Sequence, residues 1–205
     1  MLEVRELACV RGDHRLFHGL NFTLHAGELL HLRGSNGSGK TSLLRTICGL
    51  MAPAEGQVLW SGKNIRSIRE VFFNNLIYLG HLGAIKGDLT AYENLRLVGQ
   101  LSGLPGDEDS LLKAIAKMGL AGRADLPTKV LSAGQKRRVA LAQLLAYNAT
   151  LWVLDEPFNA LDVAAVELLK QLIADHVRAD GMVILTTHQE VEIDTGKIRH
   201  INLDS

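Results

Sequence analysis

GSNGSGKT, at residues 34–41, combines backbone freedom, one cation and one hydroxyl at a spacing suited to polyphosphate. It matches the pattern G-x-x-x-x-G-K-[ST]: glycines let the backbone wrap phosphate oxygens, the lysine reaches the β and γ phosphates, and the hydroxyl ligates Mg²⁺. The expected nucleotide contacts are therefore Gly34, Ser35, Asn36, Gly37, Ser38, Gly39, Lys40, Thr41 and Ser42, with Thr41 also a metal ligand. A second group of reactive types is LWVLDEP, where an apolar run ends in Asp155 and Glu156. Two acids at the end of a buried strand are costly unless a cation and a polar site await them. Asp155 is expected to hold Mg²⁺ through water, and Glu156 to orient or deprotonate the attacking water. His188 follows MVILTT, again at a strand end, where a neutral imidazole reaches the γ-phosphate and the water held by Glu156.

A further anion site is spelled at LSAGQKRRVALAQLLAY, residues 131–147, where Ser132, a small residue and Gly134 open a helix. Two phosphate sites on a chain sized for one ATP need an explanation. Asp162, in NALD, has a simpler reading as the cap of the helix that follows.

These residues must be positioned by ordered elements. Alternation predicts strands over 2–10, 16–25 and 28–33, the last running directly into the Gly-rich loop. KTSLLRTICGL has helical spacing, QVLWSGK reads as a short strand with a turn, and LIYLG (76–80) as a buried strand. From about 85 to 147 the texture is helical, and Thr90–Glu93 and Ser132–Gln135 fit the capping-box spacing. Two parallel-type strands, 151–156 and 182–188, flank the helical AAVELLKQLIADHV, and a last strand lies near KIRHINL. Histidines 14, 18, 25, 31, 176 and 200 read as solvated or packing residues.

Composition narrows the function classes. The 205 residues are 47% hydrophobic, enough for one sizeable core and a small appended subdomain. Lys plus Arg equal Asp plus Glu at 22 each, so no basic stripe argues for nucleic acid. No secretory signal and no apolar run of roughly 18 residues is visible, so a cytoplasmic protein is expected, free to dock on a membrane protein. Cys9 and Cys48 sit in apolar surroundings outside any CxxC or CxxCH pattern and read as core residues of a reducing compartment.

Taken in order, these segments resemble the nucleotide-binding domains of ABC (ATP-binding cassette) proteins. GSNGSGKT is similar to Walker A, LSAGQ to the signature loop, LWVLDE to Walker B, NALD to the D-loop, and His188 to the switch histidine. The resemblance implies an α/β fold of the P-loop NTPase type: a RecA-like core with an antiparallel β subdomain and a helical signature subdomain. It implies one domain over 1–205, with the core at about 1–84 and 149–205 and the helical part at about 85–148. The ligands it implies are ATP and Mg²⁺. It also implies an ATP-sandwich dimer with a second copy of the chain, in which Ser132, Gly134 and Gln135 act on the partner's ATP and Asp162 signals across the interface.

Two positions depart from the commonest family pattern. His81 stands where most relatives carry the Gln that reaches the metal, and is expected to ligate or hydrogen-bond there; Arg11 falls where an aromatic stacks on adenine, and its guanidinium offers a substitute. GHLGAIKGDLTAYENL, LDEPFNALD and GMVILTTHQ, on a chain ending seventeen residues past His188, resemble ATP-binding subunits of the cytochrome c maturation haem exporters. That resemblance implies a peripheral subunit on the cytoplasmic face of the bacterial inner membrane, bound to integral membrane transporter subunits. ATP would drive haem export or release of a haem-loaded chaperone, and no direct haem binding by this chain is expected. The alternative from another class is a soluble ABC ATPase serving as a cofactor-assembly or scaffold factor.

Overall fold

The computed structural model describes residues 1–204 apart from 13, 81–84, 105 and 190, together with all side chains of those residues except that of residue 14. The site expected at His81 lies outside the described residues. Strands β1 (Leu2–Arg11) and β2 (His14–Leu24) form an antiparallel ladder running from Leu2 opposite Leu24 to Arg11 opposite His14. Leu2 and Val4 keep the alternation that marked the strand in the sequence, and past a bulge at Glu6 (φ 45°) Leu7, Ala8 and Cys9 are buried in succession. Next come β3 (Leu29–Arg33), helix α1 (Lys40–Ile47), β4 (Glu55–Trp60), the two-residue β5 (Lys63–Asn64), α2 (Arg69–Phe73) and β6 (Leu76–Leu79). Helices α3 (Ala91–Ser102), α4 (Glu108–Ile115), α5 (Ala133–Leu141) and α6 (Gln143–Ala146) follow, and β7 (Leu151–Asp155), α7 (Val163–Arg178), β8 (Met182–Thr186) and β9 (Ile198–Asn202) complete the chain. Among the described residues no helix is long and apolar enough to cross a membrane.

The strands make two sheets, an antiparallel one in the order β2-β1-β4-β5 and a parallel one in the order β6-β7-β8-β3-β9. Every residue of β7 and β8 is buried, as expected for central parallel strands covered on both faces. The side-chain period of two then sorts residues between two cores. Leu151, Val153, Met182 and Ile184 face α1 and the antiparallel sheet, while Trp152, Leu154, Val183 and Leu185 face α7 and the helices from α3 to α6. On the second face the Trp152 and His176 rings stack at 3.8 Å and 4°.

Both expected capping boxes form. Thr90 accepts from the Glu93 N–H at 3.1 Å, and the Thr90 N–H donates to Glu93 at 2.8 Å. At α5 the Gln135 N–H donates to Ser132 Oγ at 3.2 Å, and the Ser132 N–H to Gln135 Oε1 at 2.9 Å. Two features differ from expectation. α2 is only five residues long, too short to show a helical period, and α4 runs into a wider π turn at Ala116–Leu120 that Gly119 closes at φ 74°.

Candidate nucleotide site

In open parallel sheets ligands gather where strands end at their carboxyl edges. Here β3 ends in the Gly-rich loop, β7 in Asp155 and β8 in Thr186, three ends of neighbouring strands. Between them opens a cleft of about 820 Å³ lined by Asn36, Gly37, Gly39, Lys40, Thr41, Ser42, Asp155, Glu156, Asn159 and His188, together with Arg11, Leu16, Arg45, Leu50, Tyr78 and Gly80. The size suits a cofactor-sized ligand.

The loop is shaped for an anion. Gly39 caps α1 at φ 99° without any side-chain hydrogen bond, whereas α3, α4, α5 and α7 are each capped by a side chain. The first N–H groups of α1 are thus left facing the cleft, with the positive end of the helix dipole behind them. A Cβ on Gly39 would come 3.1 Å from Leu16 Cβ, so the position needs glycine for both space and backbone angle. Lys40 Nζ donates to the carbonyls of Gly34 at 2.7 Å and Ser35 at 2.9 Å, folded back across its own loop.

The acids are cross-linked to this loop. Thr41 Oγ1 donates to Asp155 Oδ2 at 2.8 Å, and Thr186 Oγ1 donates to Asp155 Oδ1 at 2.7 Å. The same Thr186 hydroxyl accepts the Glu156 N–H at 3.0 Å, so one side chain fixes both acids. A hydroxyl and a carboxylate held this close are hard oxygen donors of the kind Mg²⁺ selects, and these residues fit that ion. Glu156 itself sits at φ 48°, a strained conformation for a residue with a Cβ. Its Oε1 is buried without a hydrogen-bond partner and lies 3.4 Å from His188 Nε2, while the His188 N–H donates to Oε2 at 3.3 Å. A buried, unsatisfied carboxylate oxygen aimed into a phosphate-sized cleft is a group set to accept a proton or a water hydrogen.

Sequence reading missed two residues here. Arg137, nearly buried in α5, donates to the carbonyls of Glu156 at 2.7 Å, Asp155 at 3.2 Å, Pro157 at 3.2 Å and Gly80 at 3.1 Å. Burial pulls its pKa down, and the Asp155 and Glu156 carboxylates oppose that. The available signal was its helical phase: Arg137 is three and four residues before the buried Ala140 and Leu141, so it faces inward. Thr186, the other omission, had no signal beyond its place before Thr187.

The remaining expected contacts divide. Gly34 lines a neighbouring cavity of about 750 Å³ with His31, Arg33 and His200, sharing Lys40 and His188 with the cleft. Ser38 Oγ is buried and unpartnered, and Ser35 does not line the cleft. Ser132, Gly134, Gln135 and Asp162 do not line it either. Ser132 and Gln135 hold each other in the capping box, and Asp162 caps α7 through the Ala165 N–H at 2.9 Å and pairs with Arg138. The Ala165 N–H first, and then Arg138, keep the Asp162 carboxyl below its usual range. Gly134 packs its α-carbon against the Ala160 carbonyl, 2.7 Å from where a Cβ would stand. The signature segment is thereby docked on the D-loop of its own chain.

On the far side of Tyr78 a smaller apolar groove of about 330 Å³ separates α3 from the parallel sheet, lined by Leu50, Phe73, Val98, Leu101, Leu104 and Tyr147. Tyr78 and Leu50 belong to both the groove and the cleft. Burial, and secondarily the Asp155 carboxylate, push the Tyr78 hydroxyl up to about 12, so it stays a neutral donor.

Known proteins with these features are numerous. The family model for ABC transporters matches residues 17–159. The cytochrome c biogenesis ATP-binding export protein CcmA of Nitrosomonas europaea is 52% identical over 203 residues, covering 99% of this chain and 95% of that one. Its counterpart in Escherichia coli K12 is 50% identical over 203 residues, covering 99% and 96%. Among solved structures, a putative ABC transporter ATP-binding protein from Pyrococcus furiosus is similar at a TM-score of 0.83 and 26% identity, covering 99% of this chain and 97% of that one. The ATP-binding cassette MJ0796, solved as a dimer bound to ADP and Pi, shares the fold at a TM-score of 0.85 and 23% identity, covering 98% and 94%. By these matches the chain belongs to the ABC transporter family and, within it, to the family of cytochrome c biogenesis ATP-binding export proteins.

Proposed function

We propose that this chain is the ATP-hydrolysing subunit of a membrane export complex of cytochrome c biogenesis, coupling hydrolysis to haem export or to release of a haem-loaded chaperone. The observation that carries the ATPase reading is the convergence of Lys40, Thr41, Asp155, Glu156 and His188 on one cleft. Lys40 exchanges its loop carbonyls for the β and γ phosphates, and the α1 N–H groups take further phosphate oxygens. Thr41 and Asp155 are the residues that would hold Mg²⁺, and the ion would supply positive charge beside the phosphates. Glu156 accepts a proton from the water that attacks the γ-phosphorus, the bond to the β–γ bridging oxygen breaks, and ADP and phosphate result. His188 supports Glu156 and donates toward the γ-phosphate from its half-exposed position.

The second phosphate site belongs to a second copy of the chain. Ser132, Gly134 and Gln135 lie outside their own cleft, and exposed apolar side chains flank them: Val163 beside Asp162 is 81% exposed and Val130 is 64% exposed. Paired face to face, two chains would cover these valines and set each signature helix N-terminus against the partner's ATP.

The apolar groove is the docking place for a segment of the integral membrane subunits, at the cytoplasmic face of the inner membrane. Leu101, 79% exposed at its rim, is an apolar side chain the chain itself does not cover. The shared wall of Tyr78 and Leu50 gives such a segment a direct path to the nucleotide. The test is affinity purification of the chain from detergent-solubilised membranes, with Leu101→Glu beside it. Co-purification of membrane proteins that the variant loses supports the exporter reading, and a chain that never co-purifies with a membrane protein leaves the soluble assembly ATPase instead.

A further inference from the structure

The phosphate loop is held from a direction its motif does not contain. After β9 the chain turns so that the Leu203 N–H donates to the Arg33 carbonyl at 3.0 Å, which brings the last residues alongside the loop's start. Asp204 then receives both donors of Ser35: the backbone N–H reaches Oδ2 at 2.7 Å and the hydroxyl reaches Oδ1 at 2.8 Å. The Asp204 N–H is in turn anchored on Asn202 Oδ1 at 3.2 Å. Leu203 packs into the core beneath, and its Cβ lies 3.4 Å from where a Cβ on Gly34 would stand.

The opposite side of the same peptide is held by Lys40, whose ammonium spans the Gly34 and Ser35 carbonyls. Those bonds and the phosphates draw on the same three N–H donors of Lys40, so they weaken when Lys40 turns to the nucleotide. The Asp204 bonds do not compete with nucleotide, because Ser35 lies off the cleft. Two charge-assisted hydrogen bonds from one carboxylate also fix orientation as well as position.

We propose that Asp204 is a positioning residue for the phosphate loop: it clamps Ser35 through both donors and keeps the loop open for phosphate after Lys40 lets go. This rests on the nucleotide-site reading above. The clamp acts on binding and leaves the Glu156 chemistry alone, so its loss appears in affinity before turnover.

The test is ATP affinity by titration calorimetry, with steady-state kcat and KM, on the full chain carrying Asp204→Ala, Asp204→Asn, Ser35→Ala and the Ser35→Ala/Asp204→Ala pair. Asp204→Ala is expected to raise the ATP Kd and KM about five- to twentyfold with kcat within about twofold. Asp204→Asn, whose amide oxygen still accepts the Ser35 N–H, recovers part of the loss. In the pair, Ser35→Ala costs less than it does alone, because its hydroxyl has no carboxylate left to meet. Unchanged Kd in Asp204→Ala, with or without a lower melting temperature, overturns the inference and leaves the tail a packing element. So does a fall in kcat with KM constant. If the wild-type chain itself binds no ATP, it is the nucleotide-site reading that fails.

Discussion

The cleft and the signature segment both present a helix N-terminus, but they satisfy their polar groups in opposite ways. At the cleft, groups are tied across the fold: Thr41 to Asp155 over 114 positions, Thr186 to Asp155 over 31 and Arg137 to the Glu156 carbonyl over 19. The α1 N-terminus itself has no side-chain cap and Glu156 Oε1 has no hydrogen-bond partner. At the signature segment the helix caps close locally, Ser132 with Gln135 and Asp162 with Ala165, each three residues on, while Arg138 adds a longer tie to Asp162 over 24 positions. The first region is braced by long-range hydrogen bonds around unsatisfied groups, the pattern of a site prepared for a ligand. The second is complete as a folded element, with the helix caps at Ser132 and Asp162 both closed.

Glu156→Gln breaks the prepared region most sharply. Losing the base is expected to lower kcat by about a thousandfold or more while ATP binding survives, and to trap an ATP-bound dimer visible by size-exclusion chromatography. A turnover near wild type would remove Glu156 from the role of base. Arg137→Ala is next, since it leaves four carbonyls at the strand ends without their common donor. A loss of about 3–5 kcal/mol in denaturant unfolding is expected, and Arg137→Lys, lacking the planar fork, recovers only part of it.

Ser132→Ala sharpens the other side. It removes one half of a capping box and is expected to cost about 1 kcal/mol of stability in the isolated chain. Its ATP affinity should be unchanged while kcat falls, whereas Lys40→Ala is expected to weaken ATP binding itself. The smallest effect is on acid stability. Burial lowers the pKa of His176 and His31, with Arg33 adding to the shift at His31, from a value of 6.5 outside the fold. Each therefore takes up its proton more readily in the unfolded chain, so stability is full above about pH 6.5 and falls as pH drops from there toward the depressed folded values. His176→Gln should flatten that part of a stability profile followed by the fluorescence of the stacked Trp152.

The same contrast explains what could be read from the sequence. Local signals were legible: the phosphate loop between β3 and α1, both capping boxes, the fully buried β7 and β8, and Asp162 as a cap all stand where spacing put them. What the spacing hid were contacts made by the fold. The clamp of Asp204 on Ser35 joins residues 169 positions apart, and nothing in either neighbourhood announces the other. Arg137 was hidden for a different reason: in KRR its charge reads as solvated surface, and only the helical phase distinguishes it from Lys136 and Arg138. Gly134, expected with Ser132 and Gln135 to act on a partner's ATP, also lies against the carbonyl of Ala160 in its own chain, a contact its neighbours in sequence do not announce.

The claim that the second phosphate site serves another copy is tested most directly by mixing two inactive chains, Glu156→Gln and Ser132→Arg, before ATP is added. In a mixed pair, the Ser132→Arg chain's intact cleft meets the intact signature segment of its partner. Half of randomly assorted pairs then carry one working site of two, and ATPase activity returns to about a quarter of wild type. A mixture as inactive as its two components would contradict the account, and would place the signature segment in the service of its own chain.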